Sequence, residues 1–83
     1  MIVEIYTPPT VCMSCRYVKR WLTKRGIPFE EKEMTDEVRD EFFDGGYREF
    51  PIVVYGGRAF SGMREVNLKQ LEADWRYFDG AGS

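Results

Sequence analysis

At 83 residues the chain has room for one domain, and its 43% hydrophobic and 16% aromatic content can fill a small core without disulfide staples or a structural metal. The charged fraction of 31% argues against disorder, and a net charge of −2 lacks the basic excess of a nucleic-acid binder. In the second half the longest apolar run, Ile52-Val53-Val54-Tyr55, is far too short to span a bilayer.

Residues 2–6 alternate weakly and are β-prone, which predicts a first strand. With no basic region and no long apolar stretch, the opening Met1-Ile2-Val3-Glu4-Ile5-Tyr6 reads as a strand and not as a signal peptide. A cytosolic location is expected. Thr7-Pro8-Pro9-Thr10 is a loop, because consecutive prolines exclude a ladder and a helix interior. A helix is predicted from about residue 13 to about residue 25, with Tyr17, Val18, Trp21 and Leu22 as its buried stripe. Arg16, Lys19, Arg20, Lys24 and Arg25 lie mostly off that stripe, and Gly26 is the expected C′ residue.

Ile27-Pro28-Phe29 opens a second predicted strand that runs to about Met34. Its charges, Glu30, Glu31, Lys32 and Glu33, suit an exposed edge. Thr35 or Asp36 should cap a short second helix that buries Val38, Phe42 and Phe43 and stops at Gly45-Gly46. Ile52 to Tyr55 forms a third strand, Gly56-Gly57 a hairpin turn and Arg58-Ala59-Phe60 a fourth strand. Ser61-Gly62 then leads into a last helix through Val66, Leu68, Leu71 and Trp75, and residues 79–83 should fray.

The order β-α-β-α-β-β-α predicts an α/β fold. A parallel β-α-β unit extended by an antiparallel hairpin gives a four-stranded mixed sheet with helices on its faces, the minimal thioredoxin-type architecture.

Chemistry points to Cys12 and Cys15. Two cysteines three apart close too small a loop to add much stability, so their role should be chemical. Cys12 falls where the loop passes into a helix N-terminus. Unpaired backbone N–H groups there favour a thiolate and lower the thiol pKa from about 8.5. Cys15 lies one turn on, on the same side, so the outer sulfur can attack a substrate disulfide and the inner one resolve the mixed disulfide. A zinc site within one chain would need two more ligands, and there is no histidine and no third cysteine. The count leaves open a metal shared across a dimer. Arg16 opposes the helix dipole; it is either a solvated cation or a group that holds the Cys12 thiolate or meets an acidic partner.

Ile5-Tyr6-Thr7, followed by proline and a Cys-x-x-Cys, resembles the opening of glutaredoxins. Two later segments resemble the NrdH-redoxins within that family. Gly46-Tyr47 leading into Pro51-Ile52-Val53-Val54 is similar to the NrdH stretch before the cis-proline. Phe60-Ser61-Gly62-Met63-Arg64 is similar to the NrdH signature Trp-Ser-Gly-Phe-Arg-Pro. The resemblance implies a monomeric thiol–disulfide electron carrier with no cofactor and no resident metal. It would take electrons from thioredoxin reductase and reduce the large subunit of class Ib ribonucleotide reductase. Cys12 would be the nucleophile, Cys15 the resolving thiol and Pro51 a cis-proline beside them. Backbone around Phe50 would pair with an extended substrate segment, Met13 and Ser14 would border that segment, and Ser61, Gly62 and Arg64 would support the active-site loop.

The chain departs from the pattern at several positions. Met13-Ser14 stands where the family usually has Val-Gln, and an extra residue separates Pro9 from Cys12. Pro8 replaces a common lysine, Phe60 and Met63 replace the Trp and Phe of the signature, and Glu65 replaces its proline. Two other readings compete. Glutathione-dependent glutaredoxins carry a cation before the cysteines and an acidic pair after a Gly-Gly turn near the last helix. The opening through Arg16, Trp21-Leu22 and Gly26-Ile27-Pro28-Phe29 is also similar to the Spx and arsenate reductase-like redox-sensing regulators. Those are longer between the second and third strands, where Thr35 to Gly45 stand here.

Overall fold

The computed structural model describes residues 2–80. Strands β1 (Val3–Thr7), β2 (Glu30–Glu33), β3 (Ile52–Tyr55) and β4 (Arg58–Ser61) form one sheet in the order β2-β1-β3-β4. β1 and β2 are parallel, and the other two pairings are antiparallel. Helices α1 (Met13–Lys24), α2 (Asp36–Asp44) and α3 (Glu65–Trp75) complete the thioredoxin-like α/β fold.

Strand alternation divides the sheet into two faces. On one face Val3 and Ile5 pair with Tyr55 and Val53. These four join Val18, Trp21 and Leu22 of α1 and Leu68 and Leu71 of α3 in the main core. On the other face Tyr6 lies opposite Ile52 in register and packs edge-on against Phe42 of α2 at 5.1 Å between ring centroids. β3 is apolar throughout and lies inside the sheet, with Ile52, Val53 and Tyr55 buried. β2 is the charged edge, with Lys32 lying 3.6 Å from Glu4 and 3.7 Å from Glu30.

Four details differ from the sequence reading. Tyr17 is 46% exposed. At 3.6 residues per turn it lies about 140° around α1 from Leu22, and the buried line runs through Cys15, Val18, Trp21 and Leu22. Val66 is 72% exposed, about 160° around α3 from Leu68. β2 begins at Glu30, not Ile27, because the Ile27 N–H is spent on the Leu22 carbonyl (3.0 Å) and Pro28 has none to donate. Finally, α2 buries no residue completely. Thr35 caps it, accepting from the Val38 N–H at 3.2 Å, but Val38, Phe42 and Phe43 stay partly exposed and outside the main core. One nine-residue helix is too small to seal its face of the sheet. At the C-terminal end, the π-helical turn Arg76–Gly80 continues α3 and reaches into the segment expected to fray. The rest of that expectation, residues 81–83, lies outside the described residues, as does Met1.

The end of α1 is a Schellman motif. Gly26, at φ +71°, donates to Thr23 at 3.1 Å while Ile27 donates to Leu22. Gly26→Ala should therefore cost about 1 kcal/mol, since a Cβ disfavours this conformation although open space surrounds it. A lowered urea midpoint with an unchanged slope is the expected measurement.

Candidate functional site

The loop Pro8–Val11 brings the chain off the end of β1 and into α1, and Cys12 is the N-cap residue. Its backbone is extended, at φ −137° and ψ 104°, and its Sγ accepts the Cys15 N–H at 3.2 Å. Serine or aspartate commonly fills this capping role; here the capping atom is the reactive sulfur. Cys12 and Cys15 are joined as a disulfide, with their Cα atoms 5.2 Å apart. Cys12 is partly exposed, while Cys15 is 2% exposed. Only the outer sulfur can be reached by a large partner.

The Phe50–Pro51 bond is cis. Pro51 is buried, and the Phe50 carbonyl accepts a hydrogen bond from the Ser14 hydroxyl at 2.7 Å. The Ser14 oxygen is also 3.4 Å from Cys12 Sγ. The loop before β3 is thus tied directly to the first turn of α1. A second tie holds that loop to the end of β4, where the Gly62 N–H donates to the Pro51 carbonyl at 2.9 Å. Gly62 has φ +83°, and a Cβ there would meet the Glu49 carboxylate at 2.7 Å. The positive φ is what asks for glycine here, and a larger residue would also push the Glu49 side chain aside.

A groove of about 500 Å³ runs alongside Cys12. Met13 and Ser14 form part of one wall, and Phe50, Gly62 and Met63 lie on its lining as well. Val11, Met13 and Met63 are 79%, 68% and 51% exposed, so the rim is apolar and open. Among the described residues Glu49 is the one charged residue on the lining, and Arg64 lies 3.6 Å from it. Ser61 ends β4 and is partly buried, off that lining. Arg64 is the N-cap residue of α3, but its side chain makes no capping bond.

On the other side of the cysteines a second hollow is bordered by Arg16, Lys19 and Glu31. Lys19 is bound to Glu31 at 2.9 Å, and Thr7 also donates to that carboxylate at 3.1 Å. The Lys19 hydrogen bond, helped by Thr7, holds the Glu31 carboxyl below the usual range against the opposing effect of burial. Arg16 is exposed.

Sequence reasoning did not anticipate Glu49 or the bond from Ser14 to Phe50. No periodic signal marks Glu49, which lies in an irregular loop. The Ser14 contact joins residues 36 apart in sequence, beyond the reach of any local pattern.

The glutaredoxin family profile matches residues 3–60. The chain is 34% identical over 72 residues to the glutaredoxin-like protein NrdH of Lactococcus lactis subsp. lactis, covering 84% of this chain and 99% of that one. It is 30% identical over 73 residues to the Escherichia coli protein of the same name, covering 86% and 89%. The solved structure of the E. coli NrdH-redoxin, described as a glutaredoxin-like protein with a thioredoxin-like activity profile, superposes with a TM-score of 0.74. It is 30% identical, over 86% of this chain and 95% of that one. A glutaredoxin from Brucella melitensis superposes with a TM-score of 0.67 at 30% identity, over 93% and 84%.

Proposed function

The chain belongs to the glutaredoxin family, in its NrdH-like branch, and we propose that it carries electrons through the Cys12–Cys15 dithiol from thioredoxin reductase to the large subunit of class Ib ribonucleotide reductase. In this reaction the Cys12 thiolate attacks one sulfur of the target disulfide and expels the other as a thiolate. Cys15 then loses its proton and attacks Cys12 Sγ. The second target thiolate leaves, and the Cys12–Cys15 disulfide forms. Two electrons from NADPH, delivered by the reductase, restore the dithiol. A reducing compartment, the cytoplasm, suits such a cycle. The target segment docks in extended form along the backbone at Phe50, with its side chains in the groove lined by Met13 and Met63.

The observation that carries this reading is the charge of the groove. Among the described residues its one charged lining residue is an acid, already matched by Arg64. Glutathione brings two carboxylates and needs cations to hold them, whereas Pro8 stands at the position of the lysine that serves this purpose in glutathione-using relatives. Each charge-assisted hydrogen bond forgone is worth about 1.5–3 kcal/mol. Losing even one weakens binding by about tenfold or more. The thioredoxin-like activity profile described for the E. coli relative points the same way.

A coupled assay separates the readings. NADPH oxidation should be rapid with thioredoxin reductase and slow with glutathione plus glutathione reductase. The reverse pattern overturns the donor reading, and slow turnover in both arms favours a redox sensor.

A further inference from the structure

The Ser14 hydroxyl carries one proton and has two acceptors in reach, the Phe50 carbonyl at 2.7 Å and Cys12 Sγ at 3.4 Å. With Cys12 and Cys15 disulfide-bonded, Cys12 sulfur is neutral and a weak acceptor, and the short bond goes to Phe50. Reduction by a dithiol adds two electrons and one proton. The S–S bond breaks, Cys12 becomes a thiolate, Cys15 takes the proton, and the reductant leaves as a disulfide with its other proton released to solvent. The competition then changes, because a hydrogen bond to an ionised acceptor is roughly twice as strong as one between neutral groups.

We propose that Ser14 is a redox-driven switch on the docking backbone: its proton moves from the Phe50 carbonyl to the Cys12 thiolate on reduction, and back on oxidation. In the reduced protein this does two things at once. The thiolate gains a second donor beside the Cys15 N–H, which lowers its pKa, and the Phe50 carbonyl is freed to accept from an incoming strand. When the disulfide re-forms, Ser14 recaps the carbonyl and competes with the spent target segment, which favours its release. The docking half of this argument rests on the reading of Phe50 given above. The alternation itself rests on Ser14, Cys12 and Phe50 alone.

The charged groups around Cys12 leave Ser14 its role. Glu49 on the groove side is paired with Arg64, and Glu31 on the other side is paired with Lys19. Arg16, in the first turn of α1, is exposed. Ser14 is therefore the side-chain donor already placed against the sulfur.

The test uses the chain without reductase or target, so it is blind to which of them serves the protein. Ultraviolet thiolate absorbance is followed against pH in the reduced wild type, Ser14→Ala and Ser14→Thr. Ser14→Ala should raise the Cys12 pKa by about one unit or more, and Ser14→Thr, which keeps the hydroxyl, should restore it. In parallel, the carbon-13 shift of the Phe50 carbonyl is compared between oxidised and reduced protein. The difference should be large in the wild type and in Ser14→Thr and should collapse in Ser14→Ala. An unchanged pKa in Ser14→Ala overturns the proposal. A redox-dependent Phe50 shift that persists at full size in Ser14→Ala overturns it equally, because the carbonyl would then be responding to something other than Ser14.

Discussion

Cys12→Ser is expected to lower the reduction of a disulfide-bonded protein by at least about a thousandfold, to the uncatalysed background. The described structure leaves no substitute nucleophile at the site: Cys15, in the first turn of α1, is 2% exposed. A serine hydroxyl could occupy the same cap position and accept the Cys15 N–H, so the helix should keep its start and the protein its stability. Loss of activity without loss of fold separates a chemical role from a structural one.

Cys15→Ser should behave differently. Cys12 still attacks, but nothing inside the protein resolves the product, and a mixed disulfide with the target accumulates. Mass spectrometry of the quenched reaction should show that adduct in Cys15→Ser and not in Cys12→Ser. Alkylation across a pH series should label Cys12 first, with an apparent pKa below the free-thiol value of about 8.5. The cause is its place at the helix N-terminus, where the Cys15 N–H points at its sulfur. Prior labelling of Cys15 would reverse the assignment of the two thiols.

What the sequence made legible is mostly what local rules control. Gly26 closing α1, a cap at Thr35 or Asp36 for α2 and Gly56-Gly57 turning between β3 and β4 are decisions made within a few residues, and the structure has each of them, with Thr35 as the cap. The cysteine pair at a helix start is of the same kind. Less legible were features set by which side of an element meets the rest of the chain. Tyr17 and Val66 are apolar residues on amphipathic helices, yet both face outward. A stripe read from the spacing of apolar residues is wider than the stripe the sheet covers. The ties across the site were out of reach for another reason. Ser14 to Phe50 and Gly62 to Pro51 join separate elements through single hydrogen bonds, and the residues involved are ordinary loop and helix-start types. Gly62 was legible as a turn and, through family resemblance, as a support of the site; its positive φ is what gives that position a physical meaning.

The largest expected effect on stability comes from Leu22→Ala, set against Val66→Ala as its control. Leu22 is 0% exposed and lies in the main core with Val3, Ile5 and Leu68. Its carbonyl also receives the N–H groups of Arg25 and Ile27 at the end of α1, and that backbone function survives the substitution. What is lost is side-chain packing, at a cost of about 2–5 kcal/mol including the cavity left behind. For a chain of this length the total stability is about 4–12 kcal/mol, so from about a sixth of it upward is at stake. At roughly 4–8 °C per kcal/mol for a small domain, Tm should fall by about 10 °C or more. Val66→Ala removes apolar atoms from a side chain that is 72% exposed, and stability should change by no more than about 0.5 kcal/mol. Calorimetry on the two variants reads the contrast directly. Disulfide reduction by Leu22→Ala, followed at rising temperature, should fail along the same curve as the unfolding transition, because α1 holds Cys12 in its cap position only while the core holds α1. Equal melting temperatures for the two variants would mean that α1 does not pack on the sheet through Leu22, and the positioning of Cys12 would need another explanation.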